Sequence, residues 1–276
     1  MLIKKYNHAD AEKPPKSVRL SPNTITNTMT TMKLYHGTTP SHAEAILEDG
    51  LQPRRETGNS NWDRTDMESI PDHVYLTDPF APHYAVAASE NSEIALVEIE
   101  TDTLRERDLY PDEDFIEQAI RSDELDIQYP VDRLDLTGDI NDRTATVRDH
   151  IELFQPYWES SLEILGNISH KGTIPVDAIT RIAVSDPPSQ IRLSIDPTIE
   201  IHAVGHIRSK YETFTKLLMG DEVTPVEYLT AAMGIPVPNG ASPSDMLNDD
   251  DMQAMLDTRN INIDAILTQE YVTQIA

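Results

Sequence analysis

Cysteine is absent from the 276-residue chain. That excludes disulfide frameworks, thiolate metal sites and cysteine nucleophiles, and it leaves the redox compartment undetermined. Aromatic residues make up only 6%. No run approaches the ~18 apolar residues that a membrane span requires, so no membrane partner is expected. Met1 to Ser17 carries charges but no apolar h-region, so no secretory signal is expected either. Basic side chains are few. Lys and Arg number 22 against 48 Asp and Glu, for a formal net charge of −26. Binding nucleic acid broadly through phosphate neutralisation needs basic patches, and this balance argues against it. No Walker loop, dinucleotide glycine fingerprint or Gly-x-Ser-x-Gly elbow occurs.

What is present starts with the acid itself. So large an excess of carboxylate repels itself at low salt and opposes compaction. At ~1 M salt the Debye length shrinks to ~3 Å and the repulsion is largely screened. With few Lys and abundant Asp and Thr, the chain reads as a cytoplasmic protein of a halophile. Hydrophobic residues make up 38%, enough Ile, Leu and Val for a folded core.

Three regions are expected. Residues 1–31 are polar, with Pro14, Pro15 and five Thr between Thr24 and Thr31, and read as a disordered arm. Residues 32–206 hold the patterned segments. Lys33–Tyr35 starts a strand. Thr38-Thr39-Pro40-Ser41 gives a helix start with Thr or Ser as cap, Glu44 three residues after Ser41 makes a capping-box pattern, and the helix stripe is Ala43, Ile46 and Leu47, ending at Gly50. Residues 54–72 form a long polar loop. Val74–Thr77 reads as a strand, Ala81–Ser89 as a small-residue helix and Ile94–Glu100 as a strong strand. Helices are expected over Asp112–Arg121 and Arg143–Tyr157. Strands are expected over Ile164–His170 and Ile179–Ser185, with short alternating segments at 191–195 and 199–204. Residues 207–276 read as a helical C-terminal appendage, with helices at 210–219, 225–233, 245–256 and 263–275.

Two stretches carry chemistry. In Leu34-Tyr35-His36-Gly37-Thr38 a histidine at a strand end precedes a glycine, so an imidazole and an unhindered backbone face one space. In Val74-Tyr75-Leu76-Thr77 and the following helix, Tyr75 and Tyr84 lie nine residues apart. One tyrosine on a strand and one on the next helix can face each other across a flat aromatic ligand. His42, His73 and His83 lie near both stretches, but their spacing is not that of a metal site, and no metal is expected. The carboxylate-rich run from Asp108 to Asp126 lacks a calcium-loop pattern and reads as a solvated acidic face.

Together these stretches resemble the ADP-ribosyltransferase family, in its diphtheria-toxin and poly(ADP-ribose) polymerase branch. Tyr35-His36-Gly37-Thr38, Ile46 to Pro53, Tyr75-Leu76-Thr77 and Ala81 to Ala85 match that branch in order and spacing. Residues 33–89 carry the close match, and 160–184 a looser one. The resemblance implies an α+β fold in which split β-sheets surround an NAD cleft. It implies NAD as substrate, with His36 on a ribose hydroxyl, Gly37 backbone on the nicotinamide carboxamide, and Thr38 in support. Tyr75 and Tyr84 would sandwich the nicotinamide ring, and Arg54 would meet the pyrophosphate. The third catalytic position, often Glu in the family, falls on Glu163, with Glu159, Asn167 and His170 as alternatives.

The implied activity is transfer of ADP-ribose from NAD to a macromolecular acceptor, protein or nucleic acid, in a toxin-like or mobile-element setting. Alternatives are a non-catalytic module that keeps the fold for binding, or an enzyme like the RNA 2′-phosphotransferases. Tyr75 and the net charge count against the last.

Overall fold

A computed structural model describes residues 32–58, 69–89, 93–122, 134–186, 204–235, 237, 241–246, 248–259, 263, 267 and 272–274. The expected arm at 1–31, the segment 191–195 and all but the last residue of 199–204 lie outside them.

The sequence alternates short strands with helices of mixed length. The strands are β1 (Lys33–Thr38), β2 (His73–Thr77), β3 (Ile94–Glu100), β4 (Leu109–Pro111), β5 (Asn167–Lys171), β6 (Ile179–Ser185) and β7 (Val272–Gln274). They form one antiparallel sheet in the order β4-β5-β2-β1-β3-β6-β7. The helices are α1 (Pro40–Asp49), α2 (Arg54–Thr57), α3 (Ala81–Ser89), α4 (Glu113–Ser122), α5 (Ile140–Asp149), α6 (Trp158–Ile164), α7 (Val204–Met219), α8 (Pro225–Ala232), α9 (Pro243–Met246) and α10 (Asp249–Arg259). The class is therefore α+β.

Strand β3 is apolar at almost every position because both faces of the sheet are covered. Ala95, Val97 and Ile99 face one core, with Leu34, Val74, Leu76, Ile168, Ala43 and Ile46 of α1, and Trp158 and Leu162 of α6. Ile94 and Leu96 face the other, with Ala81 and Ala85 of α3, Ile116 of α4, and Tyr211, Phe214 and Leu218 of α7. Glu98 breaks the apolar run on this second face. Its buried carboxylate accepts from Thr180 Oγ1 at 2.8 Å, Lys33 Nζ at 3.1 Å and Arg181 Nη2 at 2.7 Å. Arg181 also reaches Asp221, which ties β6 to the turn after α7.

The sheet is nearly divided in its middle. β1 and β3 share six register pairs, Lys33↔Glu100 through Thr38↔Ala95. β2 and β5 share five, His73↔Lys171 through Thr77↔Asn167. β1 and β2 share one, Tyr35↔Thr77. Beyond that pair the two strands part.

Several elements differ from the expectations. Of the Thr and Ser candidates for the cap of α1, it is Thr39 whose side chain accepts from the His42 backbone, so the Ser41–Glu44 capping box does not start the helix. Proline at 40 suits the first helical position because its missing N–H is unpaired there in any helix. Ile164 and Leu165 end a helical turn and do not open a strand; Gly166 at φ +79° breaks the chain, and β5 starts at Asn167. The segment from 207 on is helical at first, but it is not set apart from the rest. Tyr211, Phe214, Leu218, Tyr228 and Leu229 are buried in the same core as α3. Residues 272–274, expected to be helical, pair with β6 through Ser185↔Val272, covering a strand edge that would otherwise be open.

Candidate ligand site at the seam between β1 and β2

Where β1 and β2 part, the continued register would set Gly37 opposite Tyr75. A side chain takes that place. His36 Nδ1 donates to the Tyr75 carbonyl at 2.9 Å, so the imidazole bridges the seam. Burial pulls the ring's pKa below the usual histidine value, the Tyr75 carbonyl opposes this, and nearby His42 adds to the lowering. A neutral ring with its proton on Nδ1 leaves Nε2 as a hydrogen-bond acceptor.

Helix α3 lies tightly against β1 at the next residue. A Cβ on Gly37 would stand 2.1 Å from the Ala81 carbonyl oxygen and 2.7 Å from Ala85 N. Only glycine admits this approach, which seats α3, the helix that carries Tyr84, directly on β1. Thr77 starts the helix from the strand side. Its Oγ1 accepts from Phe80 N at 3.0 Å and donates to the Gly166 carbonyl at 2.8 Å, so β2, α3 and the start of β5 are held at one point.

The two phenols are fixed at their tips. Tyr75 Oη donates to Glu113, 2.8 and 2.6 Å from its two oxygens, and accepts from Ile70 N at 3.0 Å. Tyr84 Oη accepts from Asn167 Nδ2 at 2.7 Å. Burial first, then the carboxylates of Glu113 and Asp112, push the Tyr75 phenol well above its ordinary value. Tyr84 is also pushed up, by burial and then by Asp112, while the Asn167 contact opposes. Both rings therefore stay neutral phenols at any physiological pH.

Asn167 is buried, and its Oδ1 has no hydrogen-bond partner. Its backbone carbonyl accepts from Ser161 Oγ at 2.7 Å, and Ser161 in turn accepts from Asp112 N at 3.0 Å. The first turn of α4 is thus moored beside the site. Asp112 Oδ1 accepts from Asp114 N at 2.9 Å, as a helix-capping aspartate does. Burial pushes Asp112 well above the ordinary carboxylate range, and Asp114 and Glu113 push it the same way. Glu113 is raised by burial too, against the pull of Tyr75 and Arg148.

His36 therefore reaches the Tyr75 backbone across the seam, the hydroxyls of Tyr75 and Tyr84 are held by α4 and by the head of β5, and Gly37 lies beneath α3. Thr38 is buried on the neighbouring position of β1, 3.3 Å from His42 Nδ1 through its Oγ1. Arg54 opens α2, where the loop was expected to be irregular. Glu163 is not brought to the tyrosines. It sits exposed on α6, where its backbone carbonyl accepts from Arg208 at 3.2 Å, and Glu159 is exposed on the same helix. His170 lies on β5 opposite Val74 and thus on the other face from Tyr75 and Asn167, because strand side chains alternate. Of the four third-position candidates, Asn167 is the one that reaches the site. The further histidines separate: His42 is on α1, His73 contacts Ser169 and Tyr110, and His83 faces Tyr84 and Tyr211.

The acidic segment after β4 is not a solvated face at its start. Asp112, Glu113 and Glu117 are buried. Their signal was in the spacing, since Glu113 and Glu117 share a helix face with Ile116 and Ile120. Arg121 of α4 itself lies 3.7 Å from Glu117, but Arg148 on Glu113 at 3.6 Å and Arg143 on Glu117 at 2.7 Å come from α5, a helix that pattern alone does not dock there.

No family model matches the chain, and no curated protein matches it. A solved structure named EcPltA superposes with a TM-score of 0.30 at 12% identity, over 57% of this chain and 77% of that one. Likeness at that level carries no argument about function.

Proposed function

We propose that the protein is an NAD-dependent ADP-ribosyltransferase acting on a macromolecular acceptor. The reading rests above all on the His36 imidazole bridging the seam to the Tyr75 carbonyl, next to Gly37 under the helix that carries Tyr84. Two neutral phenol rings offer flat faces to a nicotinamide. His36 Nε2 accepts from a ribose hydroxyl while Nδ1 holds the strand. In this reading Thr38 supports the ribose and Arg54 meets the pyrophosphate.

In the reaction the bond between the nicotinamide nitrogen and ribose C1′ breaks, nicotinamide leaves with the electron pair, and an acceptor nucleophile bonds to C1′ and loses its proton. Positive charge spreads over the sugar as in glycoside hydrolysis. Fixed dipoles and charges near the sugar stabilise that state more than the bound substrate. Holding the acceptor within attack distance does the rest.

The test is incubation with labelled NAD+ and cell lysate in molar KCl. The expected result is labelled macromolecule and free nicotinamide, both lost in His36→Ala. A protein that neither binds nor consumes NAD+ under those conditions ends the proposal. One observation favours a second reading, a binding module without turnover: the residue at the head of β5 is the neutral Asn167 and not a carboxylate. That module would bind NAD+ and release no nicotinamide.

A further inference from the structure

The carboxylate behind the aromatic site has no task in the reading above. Glu113 is 5% exposed and accepts the hydrogen bond of the Tyr75 phenol, with its oxygens 2.6 and 2.8 Å away. Its cationic neighbour is Arg148, whose Nε stands at 3.6 Å, within ion-pair range but too far for a hydrogen bond. A phenol that donates to a carboxylate holds more electron density on its ring, and an electron-rich ring face attracts a cation more strongly.

A second observation marks the same place. Asn167 is 5% exposed, one end of its amide meets the Tyr84 hydroxyl, and Oδ1 has no partner. Turning the amide over would leave the nitrogen in that state instead. In either orientation a buried polar atom lies beside Tyr84 with its hydrogen-bond capacity unused, and buried polar atoms are seldom left so.

We propose that Glu113, acting through the phenol of Tyr75, makes this site selective for a planar pyridinium cation over its neutral counterpart, with Asn167 taking a polar group at the ring's margin. This rests on the NAD+ reading and adds the origin of the charge preference. Glu113 is a positioning residue here: it acts on the ligand through Tyr75. Because it is buried, its field is screened by salt far less than that of the surface carboxylates. The preference therefore persists in molar KCl.

The test is calorimetric titration of the full chain in molar KCl with NAD+ and with NADH, whose nicotinamide ring is uncharged. 1-Methylnicotinamide and nicotinamide form a second pair without a ribose bond to cleave. The unaltered protein should favour the charged member on the order of tenfold. Glu113→Gln keeps an acceptor for the phenol while removing the charge, so the fold should hold and the ratio should fall towards one. Tyr75→Phe should lower the ratio to the same level, and the double variant no further. Should Glu113→Gln fail to fold, Tyr75→Phe carries the test alone. Equal affinity for NAD+ and NADH, or a ratio untouched in the folded variants, overturns this inference and leaves NAD+ binding standing. Absence of NAD+ binding overturns both.

Discussion

Asn167 Nδ2 donates to the Tyr84 hydroxyl at 2.7 Å, so the first residue of β5 holds a ring carried by α3. A neutral amide in that position stabilises developing positive charge less than a carboxylate would. Asn167→Asp is expected to speed nicotinamide release on the order of tenfold, measured as initial rate in molar KCl. It should also lower stability by about 1–3 kcal/mol, since another acid then joins Asp112 and Glu113 in a buried place. An unchanged or slower rate in a folded variant would mean that this strand head does not face the reacting sugar.

Gly37→Ala tests how α3 is seated. The added methyl meets the Ala81 carbonyl oxygen at 2.1 Å, and backbone on both sides cannot give way cheaply. A loss of about 1–3 kcal/mol in denaturant unfolding is expected, together with weaker NAD+ binding, because Tyr84 rides on the displaced helix. Full stability in the alanine variant would contradict the close packing.

His73 gives a pH signature separate from the site. Burial lowers its pKa to about 4, against the smaller opposing pull of Asp72. Its Nδ1 lies 2.9 Å from Ser169 Oγ, and Lys171 and His170 stand on the strand beside it, with Glu152 beyond. The unfolded chain therefore binds this proton first. The contribution of neutral His73 is full above pH ~6.5 and is lost as pH falls towards about 4. Over that window the unaltered protein should lose up to about 3 kcal/mol more than His73→Gln, read from urea unfolding at successive pH values. Parallel curves for the two proteins would refute the assignment.

The charge of −26 predicts a strong salt response. The thermal midpoint should climb as KCl rises from ~0.1 M to ~1 M, because screening relieves repulsion among exposed carboxylates as the Debye length falls from ~10 to ~3 Å. Scanning calorimetry across that range decides it; a flat or falling midpoint would remove the salt-adapted reading.

The central strands and α3 were legible because each is short, apolar and bounded by punctuation. Ala81–Ser89, Ile94–Glu100 and Ile179–Ser185 were expected with the bounds observed. The placement of the candidate residues was legible where it was local: His36 and Tyr75 on strands, Tyr84 on the helix after β2. What depended on distant packing was not. Ile164-Leu165 reads equally well as strand or helix end, and placing the strand there moved the third position to Glu163. The three residues of β4 are too few to show a period, so the site of α4 beyond them was lost, and with it Glu113. Val272–Gln274 becomes a strand only because β6 has an edge to accept it.

Across its centre the sheet is two stiff plates meeting at a crease, pinned by one backbone pair and one imidazole. Flexing such a crease disrupts almost no ladder. A guest that draws on the His36 ring therefore also acts on the pin, and the angle between the plates becomes a quantity that occupancy can set.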